Sequence, residues 1–242
     1  MRNTLIRFAT LAVAATAVAG PVVPAAAAAG QRMAFKPLHW NINGYNWGGY
    51  AASGSGFTSV SASWTEPKAT CNSSNDLYAP WVGIDGYGSS TVEQTGVASS
   101  CSSSSGSATD QAWYEMYPAN PVYLSTSSYP VSAGDAISAS VTYAGSSKYT
   151  LKLTDSSQGW TYTTTKKLSS ATRESAEVII ESPTGDYPDF GTLNFTSATV
   201  NGADLGASSP VAMDPSSNGV TEAHTSALSG SGTAFSDVWE HA

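Results

Sequence analysis

Charge is scarce in this 242-residue chain: Asp, Glu, Lys and Arg together make up 12%, with ten Lys and Arg against eighteen Asp and Glu. Binding to nucleic acid needs clustered Lys and Arg to neutralise phosphates, and no such cluster exists, so nucleic acid is excluded as a partner. Histidine is scarce too. His39, His224 and His241 lie far apart, there is no His-Glu-x-x-His helix motif and no cysteine cluster, so a zinc site has no support and no metal is expected. A Gly-x-Ser-x-Gly elbow is also missing, which leaves a hydrolase-type serine nucleophile without its motif. Only two cysteines occur, Cys71 and Cys101. The one long apolar stretch, near the N-terminus, is interrupted by Gly20, Pro21 and Pro24, whereas a membrane span needs about 20 strongly apolar residues.

That stretch reads instead as a secretory signal over residues 1–29: a basic start with Arg2 and Arg7, an apolar alanine-rich middle and small residues at its end. Its removal takes the formal charge from −8 to about −10, because the segment carries both arginines and no acid. An exported, acidic, charge-poor protein is expected, secreted and free of the membrane once the signal is gone. In that compartment an isolated cysteine pair reads as one disulfide, Cys71–Cys101, in loop-like Ser- and Asn-rich surroundings. Closing its loop would stabilise by roughly 3–4 kcal/mol in the chain-entropy picture. Residues 30–43 form a short extension: a propeptide remnant or an extra edge strand are the two other readings.

Strand and turn chemistry dominates the remainder, residues 44–242. Ser, Thr, Val, Tyr and Gly are abundant and strong helix formers are few. Alternating runs recur, among them Phe57 to Trp64, Ala136 to Tyr143, Lys148 to Thr154 and Ala176 to Glu181, separated by Gly, Ser, Asp and Pro turns. Neither a linker nor an internal repeat divides this part. The expectation is a single all-β domain, a sandwich of antiparallel sheets.

Four sequence blocks, in order, then narrow the reading. They are Asn46-Trp47-Gly48-Gly49-Tyr50; Trp81-Val82-Gly83-Ile84-Asp85-Gly86 with Glu93-Gln94-Thr95-Gly96; Ala112-Trp113-Tyr114-Glu115-Met116-Tyr117-Pro118; and Ala176-Glu177-Val178-Ile179-Ile180-Glu181 with Asp189-Phe190-Gly191-Thr192-Leu193. Together, across about 200 residues, they resemble the glutamic peptidases, family G1 or eqolisins. The resemblance implies two large antiparallel sheets, with one concave face forming a substrate groove. It also implies acid endopeptidase activity on polypeptide substrates, without a cofactor, by a monomer. The family's catalytic pair falls on Gln94 and Glu181, and its substrate-binding positions on Trp81, Asp85, Trp113 and Glu115. Departures from the family pattern are Gln111, where an acid is common, Met116, where an aromatic is common, and Ser182-Pro183 after Glu181. These bear on subsite preference.

The chemistry suits the residue types. Glu has a reference pKa of about 4.3, so an ionised Glu181 can take a proton from water in acid and return it to the leaving amine. Gln94 does not titrate, but its amide can donate to a developing oxyanion and its oxygen can position the water. Strand alternation puts Glu177, Ile179 and Glu181 on one face and Val178 and Ile180 on the other. It likewise groups Gln94 with Val92 and Gly96. Two rival functions use the same aromatic-rich β composition: a carbohydrate-binding module without catalysis, and a glycoside hydrolase using Glu115 and Glu181. In the latter the carboxyls would stand about 5–5.5 Å or 6.5–9.5 Å apart, according to stereochemistry.

Overall fold

The computed structural model describes residues 46–241. The expected signal (1–29) and extension (30–43) lie outside the described residues. Seventeen strands run in chain order: β1 Trp47–Ser53, β2 Ser59–Thr65, β3 Leu77–Ile84, β4 Val92–Ser100, β5 Thr109–Tyr117, β6 Val122–Tyr123, β7 Ala136–Gly145, β8 Lys148–Asp155 and β9 Trp160–Lys167. They continue as β10 Ser175–Glu181, β11 Thr192–Val200, β12 Ala203–Asp204, β13 Val211–Met213, β14 Ser216–Ser217, β15 Val220–Thr221, β16 Ala223–Thr225 and β17 Phe235–Trp239. No α-helix occurs among the described residues. The expected all-β sandwich is what forms.

One sheet has seven strands in the order β13-β1-β10-β3-β4-β5-β6. The other has eight, β16-β17-β11-β2-β7-β8-β9 with β12 added beside β11. Pairing is antiparallel in both. The two sheets share one apolar core. Ile137, Ala139 and Val141 of β7 and Leu151 and Leu153 of β8 enter it from one side, and Val82, Val178 and Ile180 from the other. Aromatic contacts tie the layers together: Tyr50 of β1 meets Phe235 of β17 edge-on with ring centroids 4.8 Å apart, and Tyr78 of β3 stacks at 4.7 Å on Phe190, just before β11. Such pairs add about 0.5–1.5 kcal/mol beyond the area they bury.

The seven-stranded sheet is also covered on its outer side. A second apolar cluster there includes Trp47, Trp81, Val92, Trp113 and Ile179. Strand β3 is consequently buried at all eight positions, whereas β7 and β8 alternate. A disulfide joins Cys71 to Cys101 with Cα atoms 5.7 Å apart, tying the chain before β3 to the end of β4. Both cysteines are buried, so the bridge anchors the edge of the core, while the runs that follow them, Asn72 to Asn75 and Ser102 to Gly106, are largely exposed.

Candidate active site

Strand register gathers the outer-face residues. Gly83 of β3 pairs with Gln94 of β4, and Gln94 pairs with Glu115 of β5. One row along, Ile179 of β10, Trp81, Gly96, Trp113 and Tyr123 line up across five strands. Glu181 stands at the end of β10, opposite Trp47 of β1 on one side and Ala79 of β3 on the other. Since successive side chains point to opposite faces, Gln94, Glu115, Trp81, Trp113 and Glu181 share the outer face.

Trp81 connects the two halves of this surface. A Cβ on Gly83 would come within 2.8 Å of Trp81 Cζ3, and one on Gly96 within 2.1 Å of the Pro80 carbonyl oxygen and 2.8 Å of Trp81 Cβ. Those two glycines therefore make the space in which the indole lies along the sheet beside Gln94. The other side of the ring system reaches Glu181: Trp81 Nε1 donates to Glu181 Oε2 at 3.1 Å. Trp47 packs edge-on against Trp81, centroids 5.0 Å apart at 80°.

Glu181 has further donors. Asn46 Nδ2 donates to Glu181 Oε1 at 3.1 Å, and the Trp47 side chain also hydrogen-bonds the carboxylate. Burial pushes its pKa up to about 7, against the pull of these donors from Trp47, Trp81 and Asn46 toward the anion. The sequence-based expectation of a carboxyl titrating near its ordinary value is thus corrected: removal from water outweighs the hydrogen bonds. Glu181 nevertheless is partly exposed, unlike the six residues before it in β10, so water can reach it.

Gln94 is buried and held from one side. Its Nε2 donates to Glu115 Oε2 at 2.6 Å. The second amide hydrogen is left over, and Oε1 has no hydrogen-bond partner among the described residues. A buried carbonyl oxygen without a donor is costly in a resting protein, and it is what a water-positioning or substrate-binding amide would show. Glu115 in turn is pushed up to about 8, chiefly by burial, with the Gln94 hydrogen bond lowering it and the charge of Glu181 raising it. Gln94, Glu115 and Glu181 therefore form one electrostatic site.

Asp85 does not join them. It adopts a left-handed φ of 66° just past β3, is fully buried, and accepts from Thr172 N (2.9 Å), Thr172 Oγ1 (3.1 Å), Arg173 N (2.9 Å) and Glu174 N (2.8 Å). A carboxylate so occupied clamps the loop entering β10; it has no free oxygen for a substrate. Two residues without an assigned role in the sequence reading matter here. Asn46 holds Glu181, and the signal for it was its place in the first block, whose strand pairs with β10. Glu177, on the outer face as alternation required, accepts the Tyr87 N–H at 3.2 Å and so pins the β3–β4 turn. In the glycosidase reading Glu115 would be a second working acid, yet one of its oxygens is committed to Gln94.

Comparison with known proteins bears on the family and the fold. The model of the peptidase A4 family matches residues 45–236. Scytalidopepsin B of Scytalidium lignicola is 35% identical over 139 residues, 56% of this chain and 51% of that protein, so the match spans about half the length of this curated relative. Among solved structures, scytalido-glutamic peptidase with a transition-state analog inhibitor superposes with a TM-score of 0.70 at 25% identity, covering 81% of this chain and 98% of that one. Aspergilloglutamic peptidase from Aspergillus niger gives 0.58 at 26% identity, covering 68% and 99%.

Proposed function

The chain belongs to the peptidase A4 family, the glutamic peptidases, and from that premise we propose that it is an exported endopeptidase working in acid on polypeptides, with Glu181 and Gln94 as its catalytic pair. The observation that carries the reading is the Glu181 carboxylate, held by Trp81 and Asn46 on the sheet face where Glu115 holds Gln94.

In the proposed reaction, ionised Glu181 takes a proton from a water molecule as the water oxygen bonds to the scissile carbonyl carbon. The carbonyl π pair moves onto oxygen, where the free amide hydrogen of Gln94 meets it; one such donor is worth about 2.7–4 kcal/mol in the transition state. The oxyanion then collapses, the C–N bond breaks, and protonated Glu181 delivers its proton to the departing nitrogen. Glu181 ends as a carboxylate, so protons balance over the cycle. Glu115 acts as a positioning group through Gln94, and Trp81 and Trp113 wall the site. Because burial is the leading cause of the raised Glu181 pKa, water entering with substrate lowers it, while three donors stay to hold the anion. Residues 1–29 act as the export signal in this reading, and the mature enzyme works outside the cell.

The test is digestion of a denatured protein from about pH 2 to about pH 8 by wild type and Glu181→Gln, both shown to be folded. Cleavage in acid that vanishes in the variant is expected. A variant keeping more than about a tenth of wild-type activity would remove Glu181 from the mechanism, since losing a general base costs about 10²–10⁴.

A further inference from the structure

Two buried hydroxyls have more acceptors around them than they have hydrogens. Thr225 Oγ1 in β16 accepts the Gly49 N–H of β1 at 2.8 Å and lies 2.6 Å from both the Met213 carbonyl oxygen of β13 and Asp237 Oδ1 of β17. A threonine hydroxyl owns one hydrogen and two lone pairs. The Met213 carbonyl can only accept, so it takes that hydrogen. The contact with Asp237 is then a hydrogen bond only if the carboxyl carries a proton and donates it. With that proton the count closes: one bond given, two received.

The same count applies at a second place. Ser99 Oγ in β4 lies 3.2 Å from Glu66 Oε1 and 2.7 Å from Asp110 Oδ1. One hydroxyl hydrogen serves one carboxyl oxygen, so the other contact needs a proton on Glu66 or Asp110. Both clusters bridge the layers. Gly49 and Met213 belong to the seven-stranded sheet, and Thr225 and Asp237 to the eight-stranded one. Ser99 and Asp110 lie in the seven-stranded sheet, and Glu66 directly follows β2 of the other.

We propose that these clusters are proton-dependent ties between the two sheets, closed while Asp237 and the Glu66–Asp110 pair hold their protons and released when they lose them. The sandwich itself is then a sensor of acidity. The Thr225 tie grips β1 at Gly49, two residues from the Trp47 that stands opposite Glu181, so its release reaches the candidate site.

The surroundings offer no strong counter-charge. Asp237 is faced by Asp214 and His224, themselves paired at 3.1 Å on an exposed side, and acts on Tyr50, Tyr78 and Tyr187. Glu66 accepts from Trp64 Nε1 at 2.8 Å and is faced by Asp110, Asp135 and Tyr78, with Asp155 and Gln158 beside Asp135. No Lys or Arg is among these groups. Burial, in each case the leading cause, pushes Asp237 up to about 7, Glu66 to about 8 and Asp110 to about 6.

Because the folded values lie above the ordinary carboxyl range of about 4, the native state binds protons that the unfolded chain does not. The stabilisation is complete below about pH 4 and is lost as pH climbs through the folded values, by about one proton per group.

Urea unfolding of the intact protein, followed by tryptophan fluorescence at a series of pH values from about 4 to about 8, tests this against Asp237→Asn and Glu66→Gln. Each amide donates without titrating. For every such proton the wild-type unfolding constant rises about tenfold per pH unit, and each variant should lose about one of those tenfold factors. The same pH slope in wild type and both variants would overturn the proposal. Should one variant fail to fold, infrared difference spectra of wild type against the other decide the matter. A protonated-carboxyl carbonyl band present in the wild type at about pH 5 to about pH 6 and missing from the variant is expected; no such difference overturns the proposal.

Discussion

Replacing Trp81 by Phe removes one N–H from Glu181 while leaving an aromatic ring between Gly83 and Gly96. In the structure the indole donates to Glu181 Oε2 at 3.1 Å. A hydrogen bond to a charged group is worth about 1.5–3 kcal/mol, and nearly all of that favours the anion. At 1.36 kcal/mol per unit, the Glu181 pKa should rise by about 1–2 units. If ionised Glu181 is the base, kcat increases with pH as it deprotonates, and the acid limb of the kcat profile reports its pKa in the substrate complex. The variant's limb should therefore move up by about 1–2 pH units. Activity should fall about 10–100-fold below the limb, yet stay within a few-fold on the plateau above it. Circular dichroism would establish that the smaller ring leaves the fold intact. An unmoved limb in a folded, active variant would refute the reasoning, because the indole would then not be bonded to the group that titrates.

Gln94→Ala should lose about 10²–10³ in kcat if its amide meets the oxyanion. Glu115→Ala should also lower kcat, Glu115→Gln should restore much of it by still accepting from Gln94, and the double variant Gln94→Ala/Glu115→Ala should be no worse than Gln94→Ala. Additive losses would give Glu115 a role of its own. Asp85→Ala strands three backbone N–H groups in the loop entering β10 and should cost about 3 kcal/mol or more in urea unfolding, with kcat of the folded protein within about threefold of wild type. Full stability with lost turnover would instead return Asp85 to the cleft.

Different elements were legible to different degrees. Strands β7 and β8 show in the sequence because water bathes one of their faces, so apolar and polar residues alternate. Strand β3, Leu77 to Ile84, lacks that alternation because both of its faces are covered, and it was found through its motif rather than its period. The positions of Gln94, Glu115 and Glu181 came from the order of the blocks. Asp85 was misplaced by the same route: a carboxylate in a Gly-Ile-Asp-Gly turn looks alike whether it faces a groove or clamps a loop 87 to 89 residues away.

The sequence by itself determined the β class, the sandwich, the disulfide pair and the family, because side-chain alternation, turn residues and short motifs are properties of neighbours along the chain. Only the tertiary structure decided what each carboxyl does. Whether Glu181 titrates near 4 or near 7, whether Gln94 is held by Glu115, and whether Asp237 must keep a proton depend on burial and on donors from remote strands. The electrostatic cost of removing a charge from water is set in three dimensions, by atoms that sequence distance does not bring together.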